Sequence, residues 1–245
     1  MKFEAINISK SYSGNKILQD VNIHLNDGEI ISIIGPSGIG KSTLFNILSG
    51  IESPDNGNIL LSEKDITSKV GKVAYMPQRD LLLPYKNIID NVSLPLLFNN
   101  KSKKDARKEA LPLFKTFDLE NSEYKYPHEL SGGMKQRAAL LRTYLCFKEV
   151  ALLDEPFSAL DAITKSKMHK WYLELMKQIM ISTIFITHDI DEAIYLSDRI
   201  YILNGKPAKI TNEIIIERDS SNKKDFLLND KFLKYKKMII DILSP

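Results

Sequence analysis

The sequence predicts an α/β fold: a mixed, largely parallel sheet with flanking helices, joined to an antiparallel β subdomain and an inserted helical subdomain. Three observations carry this. An apolar, β-branched run at 29–34 enters a glycine-rich loop, and residues 43–49 follow at helical spacing. Apolar runs return at 150–153 and 182–187 with a long amphipathic segment, 163–179, between them. Such strand–helix–strand alternation builds parallel sheets with crossover helices. Between Gln78 and about Glu149, strand signals thin out and helical periodicity dominates.

In chain order, residues 2–8 alternate apolar and polar, with Phe3, Ala5 and Ile6 or Ile8 expected inward. Residues 13–16 read as a turn, and 17–25 alternate again through Ile17, Val21, Ile23 and Leu25 before Asn26-Asp27-Gly28 closes the strand. The helix at 43–49 carries Leu44, Ile47 and Leu48 on one face and is capped by Gly50. Pro54-Asp55-Asn56-Gly57 is a turn before strands at 58–61 and 72–76. In the helical region, 87–97 places Ile88, Ile89, Val92 and Leu96 on one face. Residues 101–118 do the same with Ala106, Ala110, Leu113, Phe114 and Phe117. The lysines and Arg107 of that second segment are mixed with Asp105 and Glu109, which is a solvated face rather than an anion site. The expected organisation is a core of 1–77 and 150–205, a helical subdomain at 78–149, and a short tail at 206–245 with one helix packed back on the core through Phe232, Met238, Ile239 and Ile242.

The chain has 245 residues, 43% of them hydrophobic and 27% charged, enough for a sizeable core. A net charge of +3 gives no broad electrostatic case for nucleic acid. Cys146 is the sole cysteine, so no internal disulfide can form. The first residues lack an apolar h-region, and no signal peptide is expected. No apolar run approaches the roughly 20 residues of a spanning helix, so work at a membrane requires a partner.

The chemistry concentrates in a few stretches. Gly35-Pro36-Ser37-Gly38-Ile39-Gly40-Lys41-Ser42 fits G-x-x-x-x-G-K-[ST] at every fixed position, in the strand–loop–helix setting the motif needs. Backbone N–H groups of such a loop, with the helix start at Thr43, receive phosphate. Lys41 is expected to reach the β- and γ-phosphates and Ser42 to offer its hydroxyl to Mg²⁺. Asp154 and Glu155 follow a buried strand. The first is placed to hold Mg²⁺, and the second points elsewhere, where it can act as general base on water. Ser131-Gly132-Gly133 is a second glycine-rich helix start, with Ser131 as cap.

With these pieces in order, Leu130-Ser131-Gly132-Gly133-Met134-Lys135-Gln136-Arg137 closely resembles the signature of ABC-type ATPases, and the resemblance covers nearly the whole chain. It implies a P-loop NTPase core binding ATP and Mg²⁺. Tyr12 resembles the aromatic that stacks on adenine. Gln78, after Tyr75-Met76-Pro77, resembles the glutamine that contacts metal and lytic water and senses the transporter. Asp154 and Glu155 match the Walker B aspartate and catalytic glutamate. Asp161, in Ser158-Ala159-Leu160-Asp161, matches the D-loop, and His188 matches the switch histidine near the γ-phosphate. The family sandwiches two ATP molecules between two subunits, the phosphate loop of one facing the Ser-Gly-Gly of the other. The implied partners are a second copy, transmembrane permease subunits docking at the helical insert, and indirectly an extracellular solute-binding protein. The implied location is the cytoplasmic face of the cell membrane.

Leu81-Leu82-Leu83-Pro84-Tyr85 resembles the L-L-P-W stretch of the nitrate/sulfonate/taurine import branch, with Tyr85 in place of tryptophan. That branch also handles pyrimidine precursors of thiamine. Thr187 to Ala193 and Gly205-Lys206-Pro207-Ala208-Lys209-Ile210 are similar to it too. Lys135 stands where an arginine is common. An export ATPase would share the nucleotide site, and the 83–85 stretch favours import. A soluble, non-transport ABC ATPase is a second alternative; the single ATPase half, without a long heptad insertion, argues against it. A kinase or other phosphate-loop enzyme is a third, in which Ser131-Gly132-Gly133 and His188 would have no job.

Overall fold

The computed structural model describes residues 3–146, 148–217, 226 and 229–244. The chain divides into two compact units, Met1–Val73 with Ile181–Pro245, and Ala74–Met180.

The first unit opens with β1 (Phe3–Tyr12), β2 (Asn15–Leu25), β3 (Ile30–Ile34), α1 (Lys41–Leu48), β4 (Asn56–Leu61) and β5 (Lys64–Asp65). The strands β2-β1-β4-β5 form an antiparallel sheet in that order. Strict alternation does not hold along β1 and β2. Asn7 and Asp20 adopt left-handed φ values of 53° and 48°, and the β1–β2 register shifts between Ala5 and Ile8. A bulge reverses which side chains face inward. So Ile8 is buried while Ile6 is exposed, and Leu18 occupies the core position expected for Ile17.

The second unit holds β6 (Ala74–Met76), α2 (Ile88–Val92), α3 (Leu94–Phe98), α4 (Lys103–Ala110), α5 (Leu113–Thr116), α6 (Gly132–Tyr144), β7 (Val150–Asp154) and α7 (Ala162–Ile179). The two long helices expected at 87–97 and 101–118 are each broken. Pro95 sits at the start of α3, and Pro112 is the N-cap of α5. Proline lacks the N–H that would continue the preceding helix. The predicted apolar faces largely survive the breaks: Ile88, Ile89, Val92, Leu96, Ala106, Ala110, Phe114 and Phe117 are buried, and Leu113 is half-buried. The charged face of α4 is solvated as expected, and it is also ion-paired to Asp90 of α2. Arg107 donates to both carboxylate oxygens of Asp90 at 2.7 and 2.9 Å, and Lys103 reaches the same carboxylate at 3.1 Å. β6 and β7 pair in parallel, with Met76 opposite Leu153.

The chain then returns to the first unit through β8 (Ser182–Ile186), α8 (Ile190–Leu196), β9 (Arg199–Asn204), β10 (Lys209–Ile215) and α9 (Asp230–Leu243). There β3 lies between β8 and β9, parallel to both, and β10 pairs antiparallel with β9. β9, β10 and the short β5 were not among the expected strands; β10 falls in the stretch read as tail. Arg199 joins this sheet to the antiparallel one. Its buried guanidinium donates to both oxygens of Glu29 at 2.9 and 2.7 Å, to Glu213 at 2.7 Å and to the His24 carbonyl at 3.0 Å. Phe232 and Ile239 of α9 are buried against Ile194, Ile200, Ile202 and Ile214, so the tail helix packs on the core as anticipated. Met238 does not take part and is 48% exposed. The polar stretch 220–225 lies outside the described residues.

Candidate active site

Local sterics shape the phosphate loop. Gly35 ends β3, and a Cβ on it would lie 2.3 Å from the Leu203 carbonyl oxygen of β9. Gly40, the N-cap of α1, has a φ of 112°, reserved for glycine in practice, and a Cβ there would meet Ile17 at 2.9 Å. No side chain caps α1, and its first turn carries no acid, so the helix start presents its dipole uncancelled. Pro36, Ser37, Gly38 and Ser42 are exposed, whereas Ile39 and Thr43 are partly covered. Lys41 is 8% exposed, and its ammonium donates to the carbonyls of Gly35 and Pro36 at 2.8 and 2.9 Å. The amine therefore curls under the loop it belongs to, within the space a phosphate-binding loop surrounds.

The parallel register of β3 and β8 brings His188 to the same edge. Ile33 pairs with Ile186, and the Thr187 N–H donates to the Ile33 carbonyl at 3.4 Å. His188 is exposed just beyond, on a turn held by Thr187, whose hydroxyl donates to Glu192 at 3.2 Å, and by Asp189, which accepts the Glu192 N–H at 3.1 Å. Tyr12 ends β1 with its ring 43% exposed. Its hydroxyl donates to Glu52 at 2.5 Å, and Lys10 lies 5.5 Å from the ring centroid. The Glu52 carboxylate raises the phenol pKa, with burial adding to it, while the Thr43 side chain works the other way.

In the second unit the register of β6 and β7 sets Gln78 against the two acids. The Gln78 side-chain amide donates to a Glu155 carboxylate oxygen at 2.9 Å. Tyr75 donates to Asp154 at a long 3.4 Å, and burial, then the Asp154 charge, pushes the phenol up to about 12, so it stays a donor at neutral pH. Glu155 has a left-handed φ of 45°, uncommon for a side chain of this size. That kink turns Glu155 off the strand direction that Asp154 follows. Its carbonyl accepts from the Ser158 hydroxyl at 3.0 Å, which helps hold the kink.

Ser131 is the N-cap of α6 and accepts the Met134 N–H at 3.3 Å; Gly132 is exposed beside it and Gly133 is buried. One turn on, Arg137 packs over Trp171 of α7 at 5.1 Å and pairs with Asp118. Asp161 caps α7, accepting from the N–H groups of Ile163 and Thr164 at 3.1 Å each. A hydrogen bond with the Thr164 side chain, and then these backbone bonds, hold its carboxyl below the usual range.

Sequence reasoning passed over three side chains that shape these sites. Tyr75 was visible only as a neighbour of Gln78. Asn91 is fully buried and binds the 83–87 loop through its amide. Arg142 interrupts the apolar run 138–141 of α6, the one local sign of its role, and bonds backbone carbonyls after Gln78.

Donor chemistry bears on the metal. Among the described residues no cluster of three or more His, Cys, Asp or Glu could hold an ion alone. Within the second unit Asp154 offers a carboxylate and Gln78 an amide oxygen, and within the first Ser42 offers a hydroxyl; each is the kind of oxygen donor Mg²⁺ takes, with waters and phosphate oxygens completing its shell.

Known proteins resemble this chain in sequence and fold. The ABC transporter family matches residues 18–158. The formylaminopyrimidine import ATP-binding protein ThiZ of Halalkalibacterium halodurans is 40% identical over 91% of this chain and 87% of its own length. The aliphatic sulfonates import ATP-binding protein SsuB of Bacillus cereus is 41% identical over 82% of this chain and 79% of its own. Among solved structures, the dimeric post-hydrolysis state of the ATP-binding cassette MJ0796 bound to ADP and Pi superposes with a TM-score of 0.75 at 29% identity, covering 89% of this chain and all of that one.

Proposed function

The chain belongs to the ABC transporter family as an ATP-hydrolysing import subunit, and from that premise we propose how its residues divide the work. Two copies close around two ATP molecules. Tyr12 stacks on adenine. The loop from Gly35 to Thr43 wraps the phosphates, and Lys41 exchanges its loop carbonyls for the β- and γ-phosphate oxygens. Ser42, Asp154 and Gln78 hold Mg²⁺, which neutralises charge on the transferring phosphoryl group. Glu155 accepts the proton of the attacking water, and His188 bonds the γ-phosphate. Ser131, Gly132 and Gly133 of the second copy present a helix start to the same phosphate, and Asp161 lines the junction between copies. Charge is then stabilised from both sides only in the closed dimer.

The helical insert, with Leu81 and Tyr85 exposed beside Gln78 in sequence, docks a separate permease that an external solute-binding protein supplies. The solute is of the nitrate, sulfonate or thiamine-precursor class; the import relatives at 40 and 41% identity support this. Among the described residues no helix is long and apolar enough to cross a membrane. We place the subunit peripherally on the cytoplasmic face, held there by the permease.

The observation that supports the hydrolytic reading most is the 2.9 Å Gln78–Glu155 hydrogen bond, which joins two residues far apart in sequence. A carboxylate within hydrogen-bond reach of an amide can be positioned by it. The test is Glu155→Gln with Mg·ATP on gel filtration. Retained ATP and a dimer are expected; a monomer with bound ATP would defeat the two-copy site.

A further inference from the structure

We propose that Arg142 is a positioning residue for Gln78, tying it to the helix that carries Ser131 at its other end. This rests on the roles given above to Gln78 and Glu155. The guanidinium donates to the Leu81 carbonyl at 2.8 Å and the Asp80 carbonyl at 2.5 Å. These are the second and third residues after Gln78. Among the described residues no acid pairs with Arg142 at ion-pair distance. Burial lowers its pKa, against the nearby Asp80 charge, yet guanidinium stays ionised at any physiological pH.

An arginine that satisfies only main-chain carbonyls in a half-buried setting is a clamp on that main chain. Two N–H donors of one rigid fork fix both position and direction of the 80–81 peptide. The clamped segment has little regular structure of its own. Its other holds are the Asp80 carboxylate, which accepts the Leu82 N–H at 2.9 Å, and Asn91, which accepts the Leu83 N–H at 2.6 Å. Upstream, only Arg79 separates Gln78 from the clamped residues.

From Ser131 to Arg142 the helix is about 16 Å long at 1.5 Å per residue, and helix α6 has no proline or glycine after Gly133. It behaves as a rod. A displacement at the Ser131 end is carried to Arg142, to the Asp80 and Leu81 carbonyls, and so to the Gln78 amide on Glu155. By the division of work above, Ser131 serves the other copy's ATP and Gln78 the chain's own, so helix α6 joins two ATP sites mechanically.

The experiment is a double-mutant cycle on the full chain, read as ATP turnover and ATP affinity. Arg142→Lys keeps the charge and loses the fork. It is expected to lower kcat about tenfold or more, with KM for ATP within about twofold, because a small misplacement near reacting atoms costs rate rather than binding. Asp80→Ala removes the half-buried carboxylate that holds the Leu82 N–H, keeps the main-chain carbonyl that Arg142 grips, and serves if Arg142→Lys folds poorly; it should show the same split.

The double variant Gln78→Ala with Arg142→Lys should be no slower than Gln78→Ala alone. Faster amide exchange at Leu82 and Leu83 in either single variant is expected alongside. Wild-type kcat in both Arg142→Lys and Asp80→Ala overturns the proposal. So does a further, additive tenfold loss in the double variant. Wild-type turnover in Gln78→Ala would instead remove the role assigned to Gln78 itself.

Discussion

Asn91→Ala should loosen the 83–87 loop, and the size of the effect can be worked from its bonds. Asn91 is fully buried. Its side-chain oxygen accepts the Leu83 N–H at 2.6 Å, and its amide donates to the carbonyls of Leu83, Lys86 and Asn87 at 3.1, 2.9 and 3.1 Å. Two of these acceptors have a second partner. The Leu83 carbonyl also accepts the Lys86 N–H, and the Asn87 carbonyl accepts the Asn91 N–H. Truncation therefore orphans the Leu83 N–H and the Lys86 carbonyl. At about 1–3 kcal/mol for each unsatisfied buried group, and with Lys86 partly open to water, the expected loss is about 3 kcal/mol.

Trp171 is the sole tryptophan and lies in the same unit, so urea unfolding followed by its fluorescence reads this part of the chain. With a urea slope of about 1.5–2 kcal/mol per molar, the midpoint should fall by about 1.5–2 M. Asn91→Asp sharpens the test. It restores the acceptor for Leu83 but aims a carboxylate at carbonyl oxygens, so it should be at least as unstable near neutral pH and recover as acid protonates it. A midpoint within about 0.3 M of the parent for Asn91→Ala would show that the amide does not hold the loop.

Two other outcomes follow from the described contacts. Lys41→Ala should weaken ATP binding by about 10- to 100-fold, the loss of about 1.5–3 kcal/mol for charge-assisted bonds, measured with a fluorescent nucleotide; equal affinity would refute its phosphate role. Asp90 is held below the usual carboxylate range by its hydrogen bond to Arg107, burial opposing. Because its folded pKa is depressed, its contribution is present above the unfolded value, about 3.9, and is lost as pH falls through the folded one. Asp90→Asn should flatten the acid limb of a stability–pH profile below about pH 4, and an unchanged limb would rule the pair out as its source.

Much was legible because it is local. The glycine, lysine and serine pattern of 35–42 carries its strand and helix beside it, and Gly50, just after the Ser49 C-cap, ends α1 with a left-handed φ of 79°. Ser131 caps α6 through a bond to the third residue after it. The buried stripes at Ile88, Ile89, Val92 and Leu96, and at Ala106, Ala110, Phe114 and Phe117, show in periodicity even where proline cuts the helix. Steric limits, capping and apolar spacing act over a handful of residues, so residue types in order suffice to read them.

What eluded that reading depends on partners distant in the chain. Whether Ile6 or Ile8 faces the core rests on a bulge set by pairing with β2. β10 exists because β9 offers it an edge. Gln78 touches Glu155, and Arg142 holds the 80–81 peptide, only because the register of β6 on β7 and the packing of α6 bring them together. The sequence by itself determined where the phosphate-loop pattern lies and which groups cap helices and fill the core. The tertiary structure alone decided which of those groups meet, since one residue of slip in a strand or one turn of a helix moves every long-range partner while leaving each local motif intact.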